Sequence, residues 1–299
     1  MERRRKIQEL IHSGKIPVCD GAWGTFLQQL GLQPEDCPEE WNLSHPDLVF
    51  KVASAYVEAG ADIIETNSFG GSRIKLAHYG LSEKAYDINR EAARISRTAA
   101  GSRVIVMGSI GPTGKMLLTG DVTPDELYEA FREQSMALEE GGADAIVVET
   151  MSDPDEAIMA VRAARENTSC EIVCTFTFEK NKDGLYRTMM GYRPSDIALM
   201  LRDSGIDILG TNCGNGTEGM IPILKEFSET WPEIPLIVQA NAGLPLISEG
   251  NTIYPESPKM MASRVFQLLD AGASIIGGCC GTNPEHIRTI KSKLIGSGK

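Results

Sequence analysis

Aromatic residues are scarce in this chain, at 6% of 299 residues, and histidine appears only four times. Cages of stacked rings and imidazole-built metal sites are therefore poorly supplied. Long apolar runs are missing as well, since no segment approaches the roughly 18 residues that a membrane-spanning helix needs. The basic start MERRRKIQEL has no hydrophobic stretch behind it of the kind a secretory signal carries, and Glu2 and Glu9 suit a transit peptide badly. Basic charge is in deficit: 29 Lys and Arg face 41 Asp and Glu, for a formal net charge of -12. This speaks against nucleic acid and anionic membranes as partners, because both draw on an excess of Lys and Arg. Seven cysteines, an odd number with no signal peptide, lead us to expect a cytoplasmic protein whose thiols are free or metal-bound.

What the chain has in quantity is repetition. Short apolar runs recur, each ending in small or polar residues: IPVCDGAWGT, DIIETNSFGG, RVIVMGSIGP, AIVVETMSD, EIVCTFTF, DILGTNCGNG, PLIVQANAGLP and SIIGGCCGT. Between them lie segments of helical period such as HPDLVFKVASAYVEAG and TPDELYEAFREQSMALEEGG. Four such segments close on related phrases, EAGAD, EGGAD, DSGID and DAGAS, in which Gly ends the helix before the next strand. Eight strand-helix units with continuously apolar strands predict a single (β/α)8 TIM barrel over residues 8–295, with short extensions at 1–7 and 296–299. An open doubly wound sheet is the alternative.

In such a barrel the chemistry sits at the C-terminal ends of the strands. Those ends carry Asp20, Thr66, Asn67, Ser109, Glu149, Thr177, Asn212, Cys213, Asn241 and the adjacent pair Cys279 and Cys280. The two neighbouring cysteines can face one site only if the chain bends, which Gly277, Gly278 and Gly281 permit. Three thiolates with a fourth position open would suit a catalytic zinc. The plainer readings are buried core thiols or a strained bond between neighbours. Cys19 and Cys174 fall inside apolar runs and read as core, Cys37 and Cys170 lie at loop or strand-entry positions, and the four histidines are scattered.

The stretches DGAWGT, TNSFGGSRIKLAHYGL, GSIGPTGKMLLTGD, EGGADAIVVETMSDPDEA, GTNCGNG, QANAGLP and GGCCGT together resemble the homocysteine S-methyltransferase family. Within it they are most similar to the homocysteine-binding module of cobalamin-dependent methionine synthase. The resemblance covers nearly the whole chain and implies a TIM barrel that carries one Zn2+ on Cys213, Cys279 and Cys280. It further implies transfer of a methyl group to the sulfur of homocysteine, giving methionine, with the metal keeping the thiol ionised. Asp20 and Glu149 fall where the family holds the substrate's α-ammonium, through charge-assisted hydrogen bonds. Asn241 is expected to bind substrate or orient a ligand cysteine, and Asn212 to close a turn.

The donor is less determined. Folate, cobalamin and activation modules do not fit within 299 residues, so a methylcorrinoid is expected only on a separate protein acting in trans. A small onium donor, S-methylmethionine or betaine, is the alternative, for which Trp23, Phe69, Trp41 and Tyr192 are the candidate rings. A zinc-holding barrel without turnover is a third reading, disfavoured by the presence of both acids. The segment FEKNKDGLYRTMMGYRPSD departs from the family pattern, so it is expected to reshape the mouth and leaves room for a thiol other than homocysteine. A homo-oligomer is compatible with all of these.

Overall fold

The computed structural model describes residues 5–248 and 251–296; the outer parts of the two expected terminal extensions, 1–4 and 297–299, lie outside it. Seven parallel strands form one curled sheet in sequential order: β1 (Ile63–Glu65), β2 (Ile105–Ile110), β3 (Ala145–Met151), β4 (Glu171–Phe176), β5 (Ile208–Asn212), β6 (Leu236–Ala240) and β7 (Ala273–Gly278). Helix α1 (Pro46–Ala59) leads into β1, and the helices that return the chain between strands include α2 (Ala85–Ala100), α3 (Pro124–Gly141), α4 (Pro154–Asn167) and α5 (Thr217–Thr230). Their stops follow the recurring phrases, since Gly60, Gly142, Gly205 and Gly272 all take positive φ, a region that L side chains avoid. Thr123 and Glu126 cap α3 reciprocally.

The first apolar run behaves differently from the other seven. It forms isolated bridges rather than a strand, Val18 with Ile276 on β7 and Cys19 with Ile63 on β1. Pro17 has no N–H to give, which shortens the ladder. Even so, Cys19 N donates to Ile276 O at 2.8 Å and Asp20 N to Ile63 O at 3.0 Å, so this segment touches both edges of the sheet. The polar stretch after β4 is a small hairpin, Glu179–Lys180 against Tyr186–Arg187.

Strand alternation sorts the inward side chains into layers. Ile63, Met107, Val147, Val173, Ile208, Ile237 and Ile275 form one interior apolar cluster. Ile7, on the helix Ile7–His12, packs into the same cluster, while Glu171 at the start of β4 accepts from the N–H groups of Ile7 and Gln8. Two residues further along, the inward positions become Glu65, Ser109, Glu149, Thr175 and Gln239, joined at the same level by Asn212, four residues beyond Ile208, and all are buried and polar. No helix among the described residues is long and apolar enough to cross a membrane.

Close strand packing is enforced by glycine at Gly210, where a Cβ would stand 2.1 Å from the backbone oxygen of Ile237. Backbone on a central strand cannot step aside cheaply. Gly210→Ala is therefore expected to destabilise the protein by at least about 2 kcal/mol, read as a lower urea midpoint.

Candidate active site

The polar layer opens into a cavity of about 340 Å3. Cys213, Cys279 and Cys280 form one wall, and Glu65, Glu149 and Gln239 line the same space. The three sulfurs lie within 4.8 Å of one another, with Cys213 Sγ 3.9 Å from Cys280 Sγ. Backbone geometry brings them together. Cys213 itself adopts φ +57°, turning the chain sharply at the end of β5, and Gly214 continues the bend at φ +71°. A non-glycine residue held there costs about 1–3 kcal/mol, which the surrounding bonds must over-determine. They do so through Cys213 N to Gln239 O at 3.1 Å and Asn215 N to Cys213 O at 2.8 Å.

The turn carrying Cys279 and Cys280 is built around Thr282. Its hydroxyl donates to Cys279 O at 2.7 Å and accepts from Ala22 N at 3.1 Å. Gly21 and Gly278 make room for it, since a Cβ at either would lie 2.5 Å or closer to that oxygen. Gly281, at φ +79°, lies directly beneath the ring of Tyr254. The expected bend at the paired cysteines is present, and its glycines serve identifiable contacts.

The sulfurs titrate as a unit. Hydrogen bonds from Cys279 and Cys280 pull the Cys213 thiol down to about 3, helped by the Asn241 side chain. The same sharing pushes Cys280 up to about 11 and raises Cys279. Cys213 is thereby the most acidic of the three sulfurs.

Glu149 is buried and held from several sides. Ser109 Oγ donates to Oε1, and Asn212 Nδ2 donates to Oε2 at 3.0 Å. Asn212 does more than close a turn: its Oδ1 accepts from Thr150 N at 2.9 Å and Thr175 Oγ1 at 2.8 Å. Burial is the main cause that pushes Glu149 up to about 7, against the pull of those donors. Asp20 is also pushed up to about 7, chiefly by burial. It does not stand among the residues that line the cavity. Cys19 belongs to the inward cluster, so the next residue leaves that row, and Asp20 Oδ2 instead accepts from Trp23 Nε1 and Glu65 N, both at 2.8 Å. Asp20 Oδ1 is buried without a hydrogen-bond partner. Asn241 likewise stands behind the lining, with an unpartnered Oδ1 and its backbone N bonded to Asn215 O at 2.9 Å.

Two residues of this layer escaped the reading of strand ends. Glu65 is buried and raised well above the usual carboxylate range, first by burial and then by the charges of Glu149 and Asp20. Gln239 Nε2 donates to its Oε1 at 2.6 Å. Strand period was the available signal: each follows an inward isoleucine, Ile63 or Ile237, by two positions. Of the candidate rings, Trp23 and Phe69 line the cavity, with Phe69 39% exposed. Trp41 is buried against His45, at 4.7 Å between ring centroids, and Tyr192 packs on the outer core.

Comparison with known proteins places this constellation in a lineage. The family model described as homocysteine S-methyltransferase matches residues 17–294. The chain belongs to the homocysteine S-methyltransferase family. It is 31% identical to methionine synthase of Mycobacterium leprae and 32% identical to that of Mycobacterium tuberculosis, in each case over 94% of this chain. It spans 24% and 25% of the length of those two relatives. In fold it resembles the homocysteine methyltransferase MmuM of Escherichia coli in its metallated form, with a TM-score of 0.79 at 23% identity, covering 96% of this chain and 99% of that one.

A pH dependence follows from Asp20. Its carboxyl titrates near 7 in the fold but near 3.9 when unfolded, so between about pH 4 and 7 the native state binds the extra proton. Stability from this group is present below that window and is lost as pH rises through it. In urea titrations of the metal-free protein, Asp20→Asn is expected to gain on the wild type by roughly 2–4 kcal/mol between pH 5 and pH 8. A difference that stays flat with pH would show Asp20 ionised throughout.

Proposed function

We propose that this chain is a thiol S-methyltransferase that methylates homocysteine to give methionine, with one Zn2+ held by Cys213, Cys279 and Cys280. The observation that carries the reading is one cavity bounded by three clustered sulfurs and by buried carboxylates. Such a cavity suits a ligand with a thiol at one end and an ammonium at the other. The donor set fits the metal: thiolates are soft ligands, three of them leave a coordination position open, and all three are only partly buried at the cavity wall. Bound there, zinc would supply the positive charge that keeps a thiol ionised at neutral pH.

The protein's own groups account for the rest. Glu149, presented by Asn212 and Ser109, receives the α-ammonium at the cavity wall, Asp20 supports it with its charge from behind the lining, and the incoming charge brings both carboxyls down into their ionised form. Asn241 steadies Cys213 from outside the cavity. The buried polar layer holds the substrate's other end fixed while its sulfur forms the new bond to the methyl carbon and the donor's bond to that carbon breaks. In this reading Val18 and Cys19 complete an eighth strand that closes the TIM barrel across residues 8–295, in a cytoplasmic protein that is free to form homo-oligomers.

For the donor, the reading is a methylated corrinoid protein acting in trans, supported by the scarcity of aromatic residues, 6% of the chain, from which an onium cage could be built. An onium donor would draw on Trp23 and Phe69, since Trp41 and Tyr192 are engaged elsewhere. Zinc-loaded protein mixed anaerobically with methylcobalamin and homocysteine is expected to demethylate the corrinoid, followed by its absorption spectrum against a no-enzyme control. Turnover with S-methylmethionine or betaine, and none with methylcobalamin, would transfer the donor assignment to the onium class.

The metal assignment has its own test. Cys213→Ser should lower zinc affinity in equilibrium dialysis by more than the roughly 10–100-fold that loss of an outer partner costs, and should abolish turnover while circular dichroism stays unchanged. Collapse of the fold in that variant would instead make the metal structural.

A further inference from the structure

The bond between Gln239 and Glu65 runs across the interior, because β6 and β1 are separated by β7 and by the Pro17–Asp20 segment. Gly277 on β7 leaves the path clear: a Cβ there would stand 3.0 Å from Gln239 Cγ and 2.6 Å from Cys19 Cβ. In the structure the Gln239 NH2 group donates to Glu65 and the carbonyl oxygen Oε1 is the end left over. That oxygen is buried and has no partner, as is Asp20 Oδ1, whose sister oxygen is tied to Glu65 N. Leaving one such acceptor unfilled costs about 1–3 kcal/mol. Among the described residues, the side chains bonded to the buried acids Asp20, Glu65 and Glu149 are tryptophan, glutamine, serine, threonine and asparagine, with no Lys or Arg among them.

We infer that Gln239 and Glu65 form a third arm of the ammonium site. Gln239 Oε1 accepts a hydrogen bond from the substrate's α-ammonium, and Glu65 is the positioning residue that presents that oxygen. The arm rests on the reading of homocysteine as acceptor and extends it. An ammonium has three N–H donors, and Gln239 supplies an acceptor beyond the two acids. The arm selects for α-amino thiols over thiols that lack the amino group.

The test is calorimetric, on the zinc-loaded full chain, with L-homocysteine and 4-mercaptobutanoate, which is homocysteine without its amino group. Wild type should prefer homocysteine. Gln239→Met and Glu65→Met, both close in length to the native side chains, should each weaken homocysteine about tenfold and leave 4-mercaptobutanoate unchanged. Glu65→Gln, whose carbonyl can still accept from Gln239, should recover most of the loss. Should Gln239→Met fail to fold, the two Glu65 variants make the same comparison. Unchanged selectivity in variants that keep their zinc and their melting temperature would overturn the arm while leaving homocysteine as acceptor. A wild type that binds both thiols equally would overturn the ammonium site as a whole, and the arm with it.

Discussion

The site depends on the level at which the inward-facing row changes from hydrocarbon to polar groups. Below that level, isoleucine, valine and methionine from seven strands fill the interior. At the next level every strand from β1 to β6 offers a carboxylate, hydroxyl or amide, β5 reaching it with Asn212 after the intervening Gly210. Burying so many polar groups side by side is tolerable only if they satisfy one another. Asn212 accomplishes much of this by bonding Glu149, Thr150 and Thr175 at once, and Gln239 reaches Glu65 across the interior. The few oxygens left unpaired stand out because their neighbours are so fully engaged.

Strain is concentrated in the same place. The two non-glycine residues found at positive φ among the described residues are Thr150 and Cys213, each at a strand end on the cavity wall. Asn212 ties them together, accepting from the N–H of Thr150 while immediately preceding Cys213. The backbone that aims the sulfur and the backbone that follows the acid Glu149 are thus held by one amide side chain.

Much of this was legible in the sequence, and the exceptions have physical causes. The cysteines were visible because each interrupts an apolar run beside glycines, and glycine marks where the backbone must bend. Glu149 was visible because it closes the unbroken apolar stretch 145–148. Glu65 was masked by the polar Thr66 and Asn67 that follow it, and Gln239 by its apolar neighbours Val238 and Ala240, so only alternation with Ile63 and Ile237 betrays their inward position. The orientation of Asp20 could not be read, since it is set by a tryptophan three residues on and a backbone N–H on another strand. Pro17 explains why the first run looks like a strand in composition yet makes only two bridges. The polar insertion after β4 pairs with itself in a hairpin, and the residues of that hairpin are not among those lining the cavity.

The packing of Ile7 has a kinetic meaning. With that residue and the isoleucine layer filling the floor, the described residues close the cavity from below and leave its lining at the strand C-termini. Molecules that meet at the sulfurs share that end of the fold, so the space a spent product occupies is the space the next reactant needs. Release and uptake are thereby coupled by volume alone.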